Sequence, residues 1–127
     1  MSIELKNNCD YAMLVPTSMG LRITPANNQP VHLSTNFTMQ ATSAESNVAS
    51  VSSFLGLPVK VLTAFVKDSP MGRFIKDDLG RRHMDYEGTE IEKGGPWGNR
   101  HQINIADSGY GMRGPRVTND RTGEVAR

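Results

Sequence analysis

Thr42-Ser43-Ala44-Glu45-Ser46-Asn47-Val48-Ala49-Ser50-Val51-Ser52-Ser53-Phe54-Leu55-Gly56 is the stretch from which the rest of the chain is read. With Thr42 as N-cap and Glu45 three residues on, it reads as a capping box, which satisfies backbone N–H groups that the first helical turn leaves open. Val48, Val51, Phe54 and Leu55 then recur at helical spacing and Gly56 supplies a stop, so an amphipathic helix is predicted. Asn47 falls in its first turn, where a ligand held by the preceding loop could be met. A lone asparagine more often faces solvent or caps a turn, so the flanking segments decide its meaning.

Before the helix, Tyr11-Ala12-Met13-Leu14-Val15 is a short apolar run between Asp10 and Pro16, the pattern of a core strand buried on both faces. Residues 19–24 alternate around Leu21 and Ile23. A turn-rich connection over 25–30 and an extended piece over 31–33 follow, which together suggest an antiparallel hairpin. After the helix, Val59-Lys60-Val61-Leu62-Thr63-Ala64-Phe65-Val66 is rich in β-branched residues and reads as a second core strand, so strand, helix and strand make a parallel unit. Ser69-Pro70 starts another helix with Met71, Phe74, Ile75 and Leu79 on one face; Gly80 and the basic Arg81-Arg82-His83 end it, the cations opposing the negative end of the helix dipole. Extended pieces near 89–92, 102–106 and 116–120, separated by glycine-rich loops, read as meander strands. The fold class is α/β: an open βαβα beginning joined to an antiparallel sheet.

The 127 residues amount to one domain, and a chain of this length buries roughly two thirds of its unfolded surface. Fourteen Lys plus Arg against thirteen Asp plus Glu leave a net charge of +1, dispersed along the chain, so no global field points to nucleic acid or to a membrane surface. The polar start at Met1-Ser2-Ile3-Glu4-Leu5-Lys6 and the lack of a long apolar run predict neither a signal peptide nor a membrane span. A single cysteine, Cys9, suits a reducing cytoplasm. Asn36-Phe37-Thr38 matches a glycosylation acceptor, which has no chemistry without secretion.

Several motifs fail on context. Gly109-Tyr110-Gly111-Met112-Arg113-Gly114 fits the letters of a dinucleotide fingerprint, but Pro115 and a β-prone run follow in place of a helix, so it reads as a hairpin loop. His32, His83 and His101 are scattered without metal-ligand spacing and read as surface or hydrogen-bonded histidines. No serine sits in a nucleophile elbow. Trp97, the sole tryptophan, is read equally as an interface anchor or a plug over a small core. Asp120-Arg121 ends the last strand, where an arginine fork could grip a carboxylate or a sugar hydroxyl.

In this order the parts resemble the N-terminal portion of the ribokinase-like PfkB carbohydrate kinase family, over nearly the whole chain. Asp10–Val15 resembles its first core strand, and Leu21-Arg22-Ile23-Thr24-Pro25 a lid strand found in members acting on 2-keto-3-deoxygluconate. Ala44-Glu45-Ser46-Asn47-Val48-Ala49 with Leu55-Gly56 is similar to the Gly-Gly-Ala-Glu-x-Asn-Val-Ala helix and its Leu-Gly stop. The segment from Val66-Lys67-Asp68 to Ile75 is similar to Val-Gly-x-Asp-x-x-Gly. Ile103-Asn104-Ile105 and Val117-Thr118-Asn119-Asp120-Arg121 resemble later lid strands.

The resemblance implies a Rossmann-like core carrying ATP, with a sheet lid that closes over the sugar and pairs two copies into a homodimer. Residues 10–16 and 42–83 would be core, and 17–40 and 87–121 lid. It assigns substrate contacts to Ser43, Ala44, Asn47, Asn104, Asp120 and Arg121, Asn104 standing where relatives often carry an aromatic. Thr42 and Ser43 replace the family's paired glycines, and Thr17-Ser18 its Gly-Glu. The Asp-Thr-x-Gly-Ala-Gly-Asp motif, which deprotonates the sugar hydroxyl and cradles the phosphate, does not occur before Arg127. The expectation is an N-terminal part of a kinase, with ATP and Mg2+ belonging to a longer parent. This chain alone then has no catalytic residue, no metal and no cofactor; the alternative is a non-catalytic sugar-binding or dimerisation module.

Overall fold

The structure, a computed structural model, describes residues 8–94, 98 and 100–125. In chain order these form β1 (Met13–Pro16), β2 (Gly20–Pro25), β3 (Phe37–Thr42), α1 (Ala44–Phe54), β4 (Val59–Val66), α2 (Pro70–Arg81), β5 (Asp85–Ile91), β6 (Gln102–Asp107) and β7 (Arg116–Asp120). β1, β4 and β5 make a parallel sheet in that order. A second sheet has the order β3-β2-β6-β7, with β2–β3 and β6–β7 antiparallel and β2–β6 parallel. The α/β class and the parallel strand–helix–strand unit are as the sequence predicts. Trp97 and the polar start at residues 1–6 lie outside the described residues.

One face of the parallel sheet carries Val15, Val59, Val61 and Phe65, and both helices pack on it through Ala49, Ile75 and Leu79. Met19, Leu21 and Ala41 extend the same cluster into the second sheet, so one core spans both. Burying side chains of this size contributes about 1.5–3 kcal/mol each. The opposite face of the parallel sheet carries a polar ladder: Tyr11 Oη donates to Asp85 Oδ2 at 2.8 Å, and Lys60 pairs with Glu87 at 3.0 Å. β1 is therefore buried on one face, not two; Val15 is buried and Leu14 exposed.

Further differences from the sequence reading have local causes. The hairpin partner of β2 is β3, matched residue for residue from Gly20–Thr42 to Pro25–Phe37, while residues 31–33 form a 3-10 turn after Pro30. A proline with fixed φ and no N–H favours that turn over a ladder. Residues 89–92, expected in the meander, lie at the end of β5 or just beyond it, and β5 pairs with β4 along its length.

The helix cap is shifted by one residue. Thr42 is spent as the last residue of β3, so Ser43, extended at φ −155° and ψ 159°, is the N-cap. Ser43 Oγ accepts from the Ser46 N–H at 2.9 Å and Ser46 Oγ from the Ser43 N–H at 3.1 Å, a capping box of two serines that leaves Glu45 out.

The face of α1 that packs is the small one. Ser46, Ala49 and Ser53 are buried, whereas Val48, Val51, Phe54 and Leu55 are 64%, 61%, 73% and 76% exposed. Small side chains let the helix approach the sheet closely. The buried hydroxyl of Ser53 is satisfied by donating to the Arg82 carbonyl at 2.7 Å.

α2 begins as predicted, with Ser69 Oγ accepting from the Gly72 N–H at 3.4 Å. Ile75 and Leu79 are buried and Phe74 packs against the core, but Met71 stays exposed. Arg82 closes the helix by pairing with Asp78 at 2.6 Å and donating to the Ala41 carbonyl at 2.7 Å, so it serves the helix end.

Candidate functional site

The loop after β1, the first turn of α1 and the segment after β7 converge. Thr17 Oγ1 donates to Glu45 Oε2 at 2.7 Å, joining the loop to the helix. Ser18 Oγ donates to Glu124 Oε1 at 3.0 Å, joining it to the C-terminal segment. Arg121 then grips Glu124 with two hydrogen bonds, Nε to Oε2 and Nη2 to Oε1, both at 2.7 Å. The Thr17 hydroxyl is the first cause that holds the Glu45 carboxyl below its ordinary range, with the Arg121 charge a smaller one. Glu124 pushes the Arg121 guanidinium upward, and Glu45 adds to it. This corner stands at the carboxyl end of β1 and the N-terminus of α1, the position in which open α/β sheets receive ligands.

Asn47 lies beside this corner, exposed, with its side chain in no hydrogen bond among the described residues. Ser43 is at the same place but buried and consumed by the cap, and Ala44 is exposed and brings no polar side chain. Gln102 Nε2 donates to the Ser18 carbonyl at 3.3 Å, which sets the start of β6 against the loop. Asn104, two residues on, shares that face; its register partners are Arg22 and Asn119, and its Oδ1 is buried with no hydrogen-bond partner among the described residues. Asp120 is opposite Ile103 and therefore on the other face, where it pairs with Arg100 at 2.6 Å. Asn104 and Asn119 thus share one face of the second sheet, and Asp120 lies on the other.

The resemblance put Thr17-Ser18 in place of a Gly-Glu motif and the sequence put Glu45 in the cap, but neither joined them to each other, and Glu124 was not singled out. The Arg121-Thr122-Gly123-Glu124 spacing was its one local signal. Among the described residues, no three His, Cys, Asp or Glu side chains approach closely enough to hold a metal ion.

His101 fixes the second sheet to the first. It is 2% exposed; Nδ1–H donates to the Met19 carbonyl at 3.2 Å and Nε2 accepts from the Val66 N–H at 3.4 Å. Burial holds its pKa below the ordinary histidine range. It is a structural, hydrogen-bonded histidine.

No protein-family model matches the sequence. No curated protein matches it either. Solved structures do. 2-Dehydro-3-deoxygluconokinase from Thermotoga maritima superposes on 90% of this chain with a TM-score of 0.77 at 20% identity. A PfkB family carbohydrate kinase from Listeria grayi superposes on 90% with a TM-score of 0.77 at 23% identity. The fold is ribokinase-like. An uncharacterized sugar kinase from Pyrococcus horikoshii, in complex with ATP, shares the same ribokinase-like architecture over 89% of the chain, with a TM-score of 0.71 at 14% identity. The chain spans about a third of the length of these structures: 33%, 34% and 35% of them respectively. No helix of the described residues is long and apolar enough to cross a membrane.

Proposed function

We propose that this chain supplies the sugar contacts and lid of a carbohydrate kinase of the PfkB type. The observation that carries the reading is the corner itself. In a ribokinase-like fold, Asn47 stands exposed in the first turn of α1, whose Glu45 is bonded to the β1–β2 loop, and Gln102 of the second sheet is bonded to the same loop. Asparagine offers both donor and acceptor, which suits vicinal hydroxyls. Asn47 and Asn104 contact the sugar, with Arg121 beside them, and the sheet closes over it. The acceptor is a sugar or sugar acid, 2-keto-3-deoxygluconate being one candidate. ATP and Mg2+ belong to the complete kinase. A cytoplasmic location is part of this reading.

A second reading is a non-catalytic sugar-binding or dimerisation module. Phe37 and Met39, half exposed on the apolar face of the lid sheet, favour pairing of two copies there. Calorimetric titration of the chain with neutral sugars and sugar acids tests the first reading, with Asn47→Ala expected to weaken binding at least tenfold. Heat-silent titrations throughout would reject it. Light scattering after size exclusion tests pairing; a monomer at all concentrations removes the second reading's dimer.

A further inference from the structure

The guanidinium that a sugar acid would need is already held by a carboxylate of the chain. Arg121 makes its two parallel bonds to Glu124, at 2.7 Å each, in the geometry by which arginine recognises any carboxylate. Ser18 donates to the same carboxylate, and the Glu124 side chain is 1% exposed while that of Arg121 is 56% exposed. An incoming carboxylate that took over the fork would have to displace the buried Glu124 from both of its bonds to the guanidinium. Glu45 adds to the barrier. Its carboxylate is exposed, anchored by Thr17, and close enough for its charge to act on Arg121. Two carboxylates, Glu124 in contact and Glu45 nearby, thus face the Arg121 guanidinium.

We infer that the Arg121–Glu124 clamp sets the ligand class of this corner: it takes neutral polyols and rejects sugar acids, with Glu124 the specificity-determining residue. Hydroxyls of a neutral sugar donate to the exposed Glu45 carboxylate and exchange bonds with the Asn47 amide, while a carboxylate meets repulsion from Glu45 and finds the arginine occupied. The inference rests on the carbohydrate-binding reading and narrows it against 2-keto-3-deoxygluconate.

The test uses the full chain, D-fructose and D-gluconate as probes, and two readouts: calorimetric affinity and the NMR signal of the Arg121 Nε–H. In the unmodified chain, gluconate should bind at least tenfold more weakly than fructose and leave the Arg121 signal in place. Glu124→Gln, which keeps the acceptor for Ser18 while removing the charge, should close that gap at least tenfold and let gluconate shift the signal. Glu45→Gln, at an exposed position, should improve gluconate by a few fold, so the proposal stays testable if the buried variant fails to fold. Gluconate binding the unmodified chain as tightly as fructose, with a shifted Arg121 signal, overturns the inference. If neither sugar binds, the carbohydrate reading has failed, and acetate decides the clamp separately. A shift in Glu124→Gln or Glu45→Gln but not in the unmodified chain supports it; an equal shift in the unmodified chain overturns it.

Discussion

The ring of His101 donates to the carbonyl oxygen of Met19 at 3.2 Å, across 82 positions of sequence, and accepts from the Val66 N–H at 3.4 Å. These bonds tie the loop before β2 and the end of β4 to the same imidazole. Protonating Nε2 would point a second donor at the Val66 N–H. Burial, the first cause, lowers the pKa, and Lys76 adds to it, while the Met19 carbonyl and Glu90 act the other way. In the unfolded chain the ring titrates near about 6.5, so between the two values the unfolded state binds more protons and stability rises with pH. The contribution of His101 is whole above about 6.5 and is lost as pH falls through the folded value. Urea midpoints should therefore drop between pH 7.5 and pH 5 by more in the unmodified chain than in His101→Gln. Equal drops in the two proteins would remove His101 from the pH response.

The two-serine cap of α1 makes a prediction that separates it from the cap the sequence suggested. Ser43→Ala removes the acceptor for the Ser46 N–H and should cost about 1 kcal/mol, within the range of about 0.5–2 kcal/mol for lost N-caps. Glu45→Gln leaves the cap intact and should change stability little, since Glu45 is exposed. Paired denaturation curves of the two variants decide it; a larger loss for Glu45→Gln would restore the Thr42–Glu45 reading.

What was legible in the sequence follows from how local each signal is. β4 is a run of β-branched and aromatic residues, and α2 begins at Ser69-Pro70; both declare themselves within one window. β3 carried a period-2 signal, Phe37, Met39 and Ala41 against Thr38, Gln40 and Thr42, which its polar residues masked. The orientation of α1 was illegible for a different reason. Hydrophobic periodicity ranks faces by polarity, whereas close approach to β1 and β4 selected Ser46, Ala49 and Ser53 by size. In the candidate site, Asn47 could be singled out from its place in a capped first turn. The contacts of Thr17, Ser18 and Glu124 could not, because they close over 28 positions between Thr17 and Glu45 and over 106 between Ser18 and Glu124.

Two glycines in opposite surroundings test how tightly the sheets are packed. A Cβ built on Gly88 would lie 2.2 Å from the Thr63 carbonyl oxygen and 2.9 Å from the Phe65 ring, so backbone must move. Gly88→Ala should lower stability by about 1–3 kcal/mol, the usual cost of overpacking. Gly80, inside α2, has nothing within 4 Å of such a Cβ, and its conformation needs no positive φ. Gly80→Ala should raise stability by about 0.5–1 kcal/mol through helix propensity and a less disordered unfolded chain. Thermal melts read both, and a loss at Gly80→Ala as large as that at Gly88→Ala would contradict the open space around α2.

The outward apolar stripe of α1 predicts a separation between folding and association. Val48, Val51, Phe54 and Leu55 take little part in the core, so each single change to serine should stay within about 0.5 kcal/mol of the unmodified chain. Ala49, at 0% exposure on the opposite face, should behave in the reverse way: Ala49→Leu adds methylenes where the helix meets β1 and β4 and should cost about 1–3 kcal/mol. Val51→Ser with Phe54→Ser should also reduce binding of a hydrophobic dye to the folded chain, because the stripe is a large exposed apolar surface without a charged residue between Ser46 and Val59. Denaturation midpoints and dye fluorescence, measured on the same samples, distinguish the two faces. If the double serine variant unfolds as readily as Ala49→Leu, the stripe is packed against the rest of the chain and the orientation of α1 described above is wrong.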